Sequence, residues 1–174
     1  MTPNTIKESG MTFGPFNSGY YFHIEKSRLY NQIQSGVKMA EFLLLQPNGE
    51  RPHGVWVVEA KSSTPRPDNE RDFDIFIATV HDKLLNAFSL TLAALLRRHS
   101  DTQDGLPEAF RTLDLSSIRF TFILVVKGHK EGWLPPLNDA LARSLKTTIK
   151  TWGIKEPAVA VMNECIAQER KLIC

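Results

Sequence analysis

Val55-Trp56-Val57-Val58-Glu59-Ala60-Lys61-Ser62-Ser63 sets two opposite charges into an otherwise apolar, β-branched run. Such a composition predicts a strand. Side chains alternate between the faces of a strand, so Val55, Val57, Glu59 and Lys61 share one face while Trp56, Val58 and Ala60 share the other. Glu59 and Lys61 therefore point the same way. An ionised pair at the end of a buried strand is costly to desolvate unless mutual hydrogen bonding, a metal ion or a substrate compensates it. That cost makes this stretch the first place to look for function.

Immediately upstream, Val37 to Gln46 also reads as a strand, with Met39, Glu41, Leu43 and Leu45 on one face and Ala40, Phe42 and Leu44 on the other. Pro47-Asn48-Gly49 and Pro52-His53-Gly54 are turn signals that fold this strand back on Val55 to Lys61 as a hairpin. With Leu45 opposite Val55, Leu43 faces Val57, Glu41 faces Glu59 and Met39 faces Lys61. Opposed residues have Cβ atoms about 4.5 to 5.5 Å apart, and like charges so placed repel. Two facing carboxylates invite a cation.

Downstream, the loop Ser62 to Pro67 leads to Asp68 or Asn69, either of which can N-cap a helix running to about His99. Phe73, Ile77, Val80, Leu84, Ala87, Thr91 and Leu95 recur at helical spacing as its core-facing stripe. Arg97, Arg98 and His99 stand where cations complement the helix dipole. Thr79, Asp82, Asn86 and Ser89 form a polar stripe with Lys83 beside it, and a polar helix face is normally the wet one. Ser100 to Glu108 reads as a polar loop. Ile118 to Val126 is the most strand-like run in the chain and predicts a central buried strand. Pro135-Pro136 opens a helix carrying Leu137, Leu141, Leu145, Ile149 and Trp152, which Gly153 can end. A last strand is expected over Pro157 to Met162. Before the hairpin, Phe22 to Gln34 predicts a short strand running into a helix that stops near Gly36. Met11 to Tyr21, rich in Gly, Asn, Pro and aromatic residues, reads as an irregular arm laid over apolar surface. The order of elements indicates an α/β domain with a mixed β-sheet flanked by helices.

At 174 residues, with 42% hydrophobic and 23% charged, the chain fits one domain with a substantial core. A net charge of +2 permits an anionic partner without demanding one. Cys165 and Cys174 show neither zinc-ligand spacing nor a disulfide framework. Met1 to Gly10 lacks the apolar core of a signal peptide, so a cytoplasmic protein is expected. Leu84 to Leu96 is interrupted by Asn86, Ser89 and Thr91 and falls short of the ~18 residues of a membrane span.

A carboxylate on one strand, Glu-x-Lys ending the next, and the helix and strand that follow resemble the PD-(D/E)XK, or restriction endonuclease-like, nuclease superfamily. The resemblance covers roughly Glu25 to Val126, as an order of elements more than as sequence. With the length and composition, the chain is expected to be a single domain over 1–174, with an irregular arm over 1–21, a nuclease-like core over 22–128 and a C-terminal helix and strand over 129–174. The resemblance further implies that Glu41, Glu59 and the Ala60 carbonyl bind Mg²⁺ or Mn²⁺, and that Lys61 positions the attacking water and offsets transition-state charge. An assisting glutamate of the family corresponds to Glu25. Glu41 departs from the pattern, since the family acid is usually Asp after Pro. Both carboxylates are nonetheless hard oxygen ligands suited to these ions.

Glu-x-Lys by itself carries little, because Glu169-Arg170-Lys171 repeats it in a charged C-terminal segment. The strand context carries the weight. Ser62, Lys83 and Asn86 are candidate substrate contacts. His53, His81, His99 and His129 share no spacing, so a histidine-based metal site or triad has no support in the sequence. Three classes are compatible with these features: a metal-dependent nuclease acting on DNA or RNA, with a homodimer needed to cut both strands; a catalytically silent member of the same fold that binds nucleic acid or a protein; and an unrelated α/β interaction module.

Overall fold

A five-stranded mixed sheet forms the centre of the molecule, in a computed structural model that describes residues 4–48, 51–99 and 105–174. Residues 1–3 of the expected arm, 49–50 of the expected turn and 100–104 of the expected polar loop lie outside the described residues. Two short strands precede the sheet, β1 (Ile6–Glu8) and β2 (Met11–Phe13), paired as a separate antiparallel hairpin. The sheet itself runs in the order β3 (Tyr21–Phe22), β4 (Phe42–Asn48), β5 (Arg51–Lys61), β6 (Arg119–Val126) and β7 (Val159–Asn163). β3, β4 and β5 are mutually antiparallel, and β5, β6 and β7 are parallel.

The hairpin register follows the expected pairing, with Leu45 opposite Val55 and Leu43 opposite Val57. Alternation then sorts the sheet into two apolar layers. Leu43, Leu45, Val55, Val57, Phe122 and Leu124 meet the helices, whereas Phe42, Leu44, Val58, Ala60, Ile123 and Val125 meet the β1/β2 hairpin and the C-terminal residues. Parallel strands need crossover helices. α2 (Glu70–Leu95) links β5 to β6, α4 (Leu134–Thr151) links β6 to β7, and the two pack on each other. Phe88 of α2 holds this layer together through edge-on contacts to Phe120, Phe122 and Trp152, with ring centroids 4.9, 5.6 and 5.4 Å away. The shorter helices are α1 (Arg28–Asn31), α3 (Glu108–Arg111) and α5 (Glu164–Glu169), with a one-turn 3-10 helix at Ile24–Lys26. No helix among the described residues is long and apolar enough to cross a membrane.

Four expectations are corrected. Pro52-His53-Gly54, expected as a turn, lies within β5, where Gly54 pairs with Gln46 and Pro52 with Pro47 across a register shift. The strand expected from Val37 starts only at Phe42, and Glu41 is a bend. Neighbours outside any strand ladder already satisfy this approach segment: Tyr30 Oη donates to the Val37 carbonyl, Asn86 Nδ2 to that of Lys38, and the Glu25 N–H to that of Glu41. The long helix stops at Leu95 rather than near His99. Arg97, with φ 54°, takes the left-handed position that ends it, while the Arg98 N–H reaches the Ala93 carbonyl at 2.9 Å and the Arg97 N–H the Ala94 carbonyl at 3.0 Å. The expected arm is in part regular, since β1 and β2 pair and Phe13 is wholly buried against Phe42.

Candidate functional site

Glu59 is fully buried on β5, on the face that α2 covers. The strand places Lys61 on the same side two residues on, and its ammonium lies 2.9 Å from Glu59 Oε1. A second ammonium, Lys83 of α2, lies 3.0 Å from the same oxygen and 3.8 Å from Glu41 Oε1. The oxygens of Glu41 and Glu59 are therefore no farther apart than those last two distances laid end to end. Backbone pairing sets the position of Glu41: its N–H donates to the Val58 carbonyl at 3.0 Å, one step before β4 begins. Oε2 of both glutamates is buried without a hydrogen-bond partner among the described residues.

Lys83 departs from the solvent-exposed stripe expected on α2, its side chain being only 17% exposed. It lies three residues after Val80 and four before Ala87, both fully buried, so helical geometry puts it at the margin of the core-facing stripe. That spacing is a signal the sequence contained. Asn86 donates to the Lys38 carbonyl, which gives it a structural task, and Ser62 is exposed just beyond β5. The Ala60 carbonyl accepts a hydrogen bond from Ser9 Oγ at 2.9 Å. Ser9 sits in the turn of the β1/β2 hairpin, whose Gly10 carbonyl takes a second bond from Lys127 Nζ. The hairpin turn is thus docked on the edge of β5 that β4 does not reach, beyond Val58, while the other edge of Glu59–Lys61 stays paired with β6.

Burial, a hydrogen bond to Glu25 and the nearby charges of Glu59 and Glu25 push the Glu41 carboxyl up to about 9, against the pull of Lys83. Burial also pushes Glu59 up, opposed by Lys83 and Lys61. Burial disfavours charge on Lys83 as well, yet the carboxylates around it, Glu59 foremost, outweigh that and hold its ammonium above the ordinary value. Such a shift on Lys83 requires an ionised partner. Two ammoniums at 3 Å or less make Glu59 that partner, whereas Glu41 carries the uncompensated proton affinity. The repulsion expected between facing carboxylates therefore falls on one of them.

Glu25 sits on the 3-10 helix, with its carboxyl in contact with that of Glu41. Two residues absent from the expectations join them. Glu8 at the end of β1 and His23 after β3 contribute to a group in which one ligand atom each from Glu8, His23, Glu25 and Glu41 lies within 4.8 Å of all the others. Burial, then Lys26, keep the His23 imidazole below its ordinary pKa despite Glu8 and Glu25, so at neutral pH it is an uncharged base. No linear spacing links positions 8, 23, 25 and 41. No family model matches the chain, and neither does any curated protein or solved structure.

Proposed function

We propose that the protein is a divalent-metal-dependent phosphodiesterase that hydrolyses a nucleic-acid backbone, built on a restriction endonuclease-like core of the PD-(D/E)XK type. The observation that carries this reading is the convergence of Glu41, Glu59 and Lys61 at one end of β5 with two buried, donor-free carboxylate oxygens. Hard carboxylate oxygens without protein donors fit Mg²⁺ or Mn²⁺. Glu41 and Glu59 would hold the ion, with the second lone pair of the Ala60 carbonyl available beside them. A bound divalent ion supplies polarisation of a phosphoryl oxygen and a water of lowered pKa. Lys61, one quarter exposed and anchored on Glu59, is placed to orient a water and to stabilise charge that develops on the phosphoryl oxygens. Lys83, 3.0 Å from Glu59 and 3.8 Å from Glu41, offsets part of their charge. Ser62, exposed just beyond β5, would be available to a bound strand. Such a site would act on one strand as a monomer, or on both strands of a duplex as a homodimer.

A second reading is favoured by one contact. Lys83 Nζ at 3.0 Å from Glu59 already supplies a positive charge where the ion would bind, as a catalytically silent nucleic-acid- or protein-binding module would need. Metal dependence separates the two. Purified protein incubated with single- and double-stranded DNA and RNA in Mg²⁺ or Mn²⁺ is expected to cleave one of them. Lys61→Ala is expected to lower that rate at least about a hundredfold while leaving calorimetric metal affinity within a few fold, because an ammonium acts on the transition state and not as a ligand. Metal affinity and cleavage lost together in Lys61→Ala would contradict that division. Absence of cleavage on all four substrates would favour the binding module.

A further inference from the structure

Three of the five large hydrophobic side chains that stand exposed among the described residues, Leu96, Leu115 and Trp152, line a single cavity. Trp152 is expected on the core-facing stripe of α4, yet it caps that helix and is 56% exposed. Exposed apolar side chains scattered singly need no explanation, whereas their concentration around a concavity marks a binding site. The cavity measures about 440 Å³ and is walled by three segments, the end of α2, residues 115–120 and residues 152–155. Small-molecule sites run from roughly 300 to 1,000 Å³. Buried Phe88 and Phe120 line its inner part, and Phe88 already meets Phe120 and Trp152 edge-on. Phe120 pairs with Val55, and Lys61 lies six residues further along β5, about 20 Å at the rise of a strand. The cavity is therefore at the other end of the sheet from Glu59 and Lys61.

Polar groups at the cavity favour a negative charge. Arg119 and Lys155 line it, are exposed and make no ion pair among the described residues. Ser116 and Ser117 commit their hydroxyls to the Asp114 carboxylate at 2.6 and 2.8 Å, and Asp114 does not line the cavity. The C-terminal turns of α2 and α4 would repel an anion if their last carbonyls were bare. Those carbonyls are covered by the N–H groups of Leu96, Arg97 and Arg98 on α2 and of Trp152, Gly153 and Ile154 on α4. We infer that this cavity binds a small amphipathic anion, an aromatic body carrying one carboxylate. The body packs against Phe88, Phe120 and Trp152, where ring contacts like those already present are available, and the carboxylate lies at Arg119 and Lys155. Apolar burial supplies most of the affinity, and the two exposed cations supply orientation and the choice of charge. The site requires neither a metal nor hydrolysis, so it stands or falls apart from the phosphodiesterase reading.

Calorimetric titration of the full chain with naphthalene-2-carboxylate and with its uncharged amide tests the site, with amide ¹H–¹⁵N NMR shifts to locate the ligand. The carboxylate is expected to bind one molecule per chain, about three- to fivefold more tightly than the amide, with the largest shifts over residues 88–96, 115–120 and 152–155. Leu96→Glu, at an exposed position, should weaken the carboxylate at least about tenfold by placing a like charge on the apolar wall. Arg119→Ala combined with Lys155→Ala should bring the carboxylate to within about twofold of the amide and leave the amide unchanged. No binding of the carboxylate, equal affinity for acid and amide in wild-type protein, shifts confined to other residues, or undiminished affinity in folded Leu96→Glu would each overturn the site. Sedimentation showing a wild-type dimer that Leu96→Glu abolishes would assign the cavity to a second copy of the chain and overturn it as well. Should either variant not fold, the acid and amide titrated into wild-type protein decide the matter alone.

Discussion

Glu59 and Glu41 are both buried glutamates beside Lys83, yet they differ in what surrounds them. Glu59 has two ammoniums on one oxygen, whereas Glu41 has a lysine at 3.8 Å and a second carboxyl against it. Removing charge from the two sites should therefore act in opposite directions. Glu59→Gln leaves two lysines without their common partner and is expected to lower stability by about 1 to 3 kcal/mol. Lys83→Met removes one of the two and should cost less, because Lys61 remains in place and the methionine stem fills the volume left by the lysine. Urea titration of the metal-free protein measures both. A Glu59→Gln protein more stable than wild type would mean that carboxylate repulsion, and not the paired lysines, governs that residue. At this scale the sequence showed that Glu59 and Lys61 share a face, because period-two alternation is local. It did not show that Lys83 turns inward, because a lysine at the margin of an apolar stripe snorkels outward unless a buried anion holds it.

Elements are delimited by what satisfies their backbone. The β-branched run of β5 and the pairing of Leu45 with Val55 were legible, but Pro52-His53-Gly54, read as a turn, lies inside β5, and the ladder shifts register between Gln46 and Pro47. The start of β4 was not, since the carbonyls of Val37, Lys38 and Glu41 find donors in Tyr30, Asn86 and Glu25 from distant positions in the chain. The end of α2 was misplaced for a related reason. Arginine is an uncommon occupant of the left-handed position that closes a helix, and a glycine there is the usual stop signal. A non-glycine residue at positive φ is strained. Arg97→Gly should thus stabilise the protein by about 0.5 to 1 kcal/mol, seen as a rise in melting temperature of about 1 to 4 °C for a chain of this size. An unchanged or lower melting temperature would show that Arg97 makes a compensating contribution through its side chain.

For the molecule as a whole, the acidic pole formed by Glu8, Glu25, Glu41 and Glu59 makes stability depend on pH. An unfolded glutamate ionises near about 4.3. Folded Glu41 keeps its proton up to about 9, owing mainly to burial and then to Glu25. Between those values the folded protein holds a proton that the unfolded chain releases, so stability conferred by protonation is complete below the ordinary carboxyl range and is lost as pH rises towards about 9. Glu59, also pushed up by burial, acts in the same sense; His23, held low, acts in the opposite sense, but only below its ordinary pKa near about 6.5. The metal-free protein should accordingly melt at a lower temperature at pH 8.5 than at pH 7, and Glu41→Gln should flatten that difference. Saturating Mn²⁺ should flatten it as well, since binding to the folded state alone stabilises by mass action and requires the deprotonated ligand. A wild-type melting temperature that rises from pH 7 to 8.5 without metal would contradict the proton assignment.

Alternation, turn chemistry and helical spacing were sufficient to determine a mixed α/β sheet with a β4/β5 hairpin, a long helix after it, and Glu59 and Lys61 on one face at its end. Each of these depends on residues within a few positions of one another, where backbone geometry leaves few choices. Glu41 was placed near Glu59 by extending the register, although the structure puts it on a bend and gives it Glu25 as its closest acidic neighbour. The meeting of Glu8, His23, Glu25 and Glu41, and the docking of the hairpin turn on Ala60, were decided by tertiary structure alone. Those contacts join segments with no common period, and they meet at the edge of β5 that β4 leaves open before Phe42.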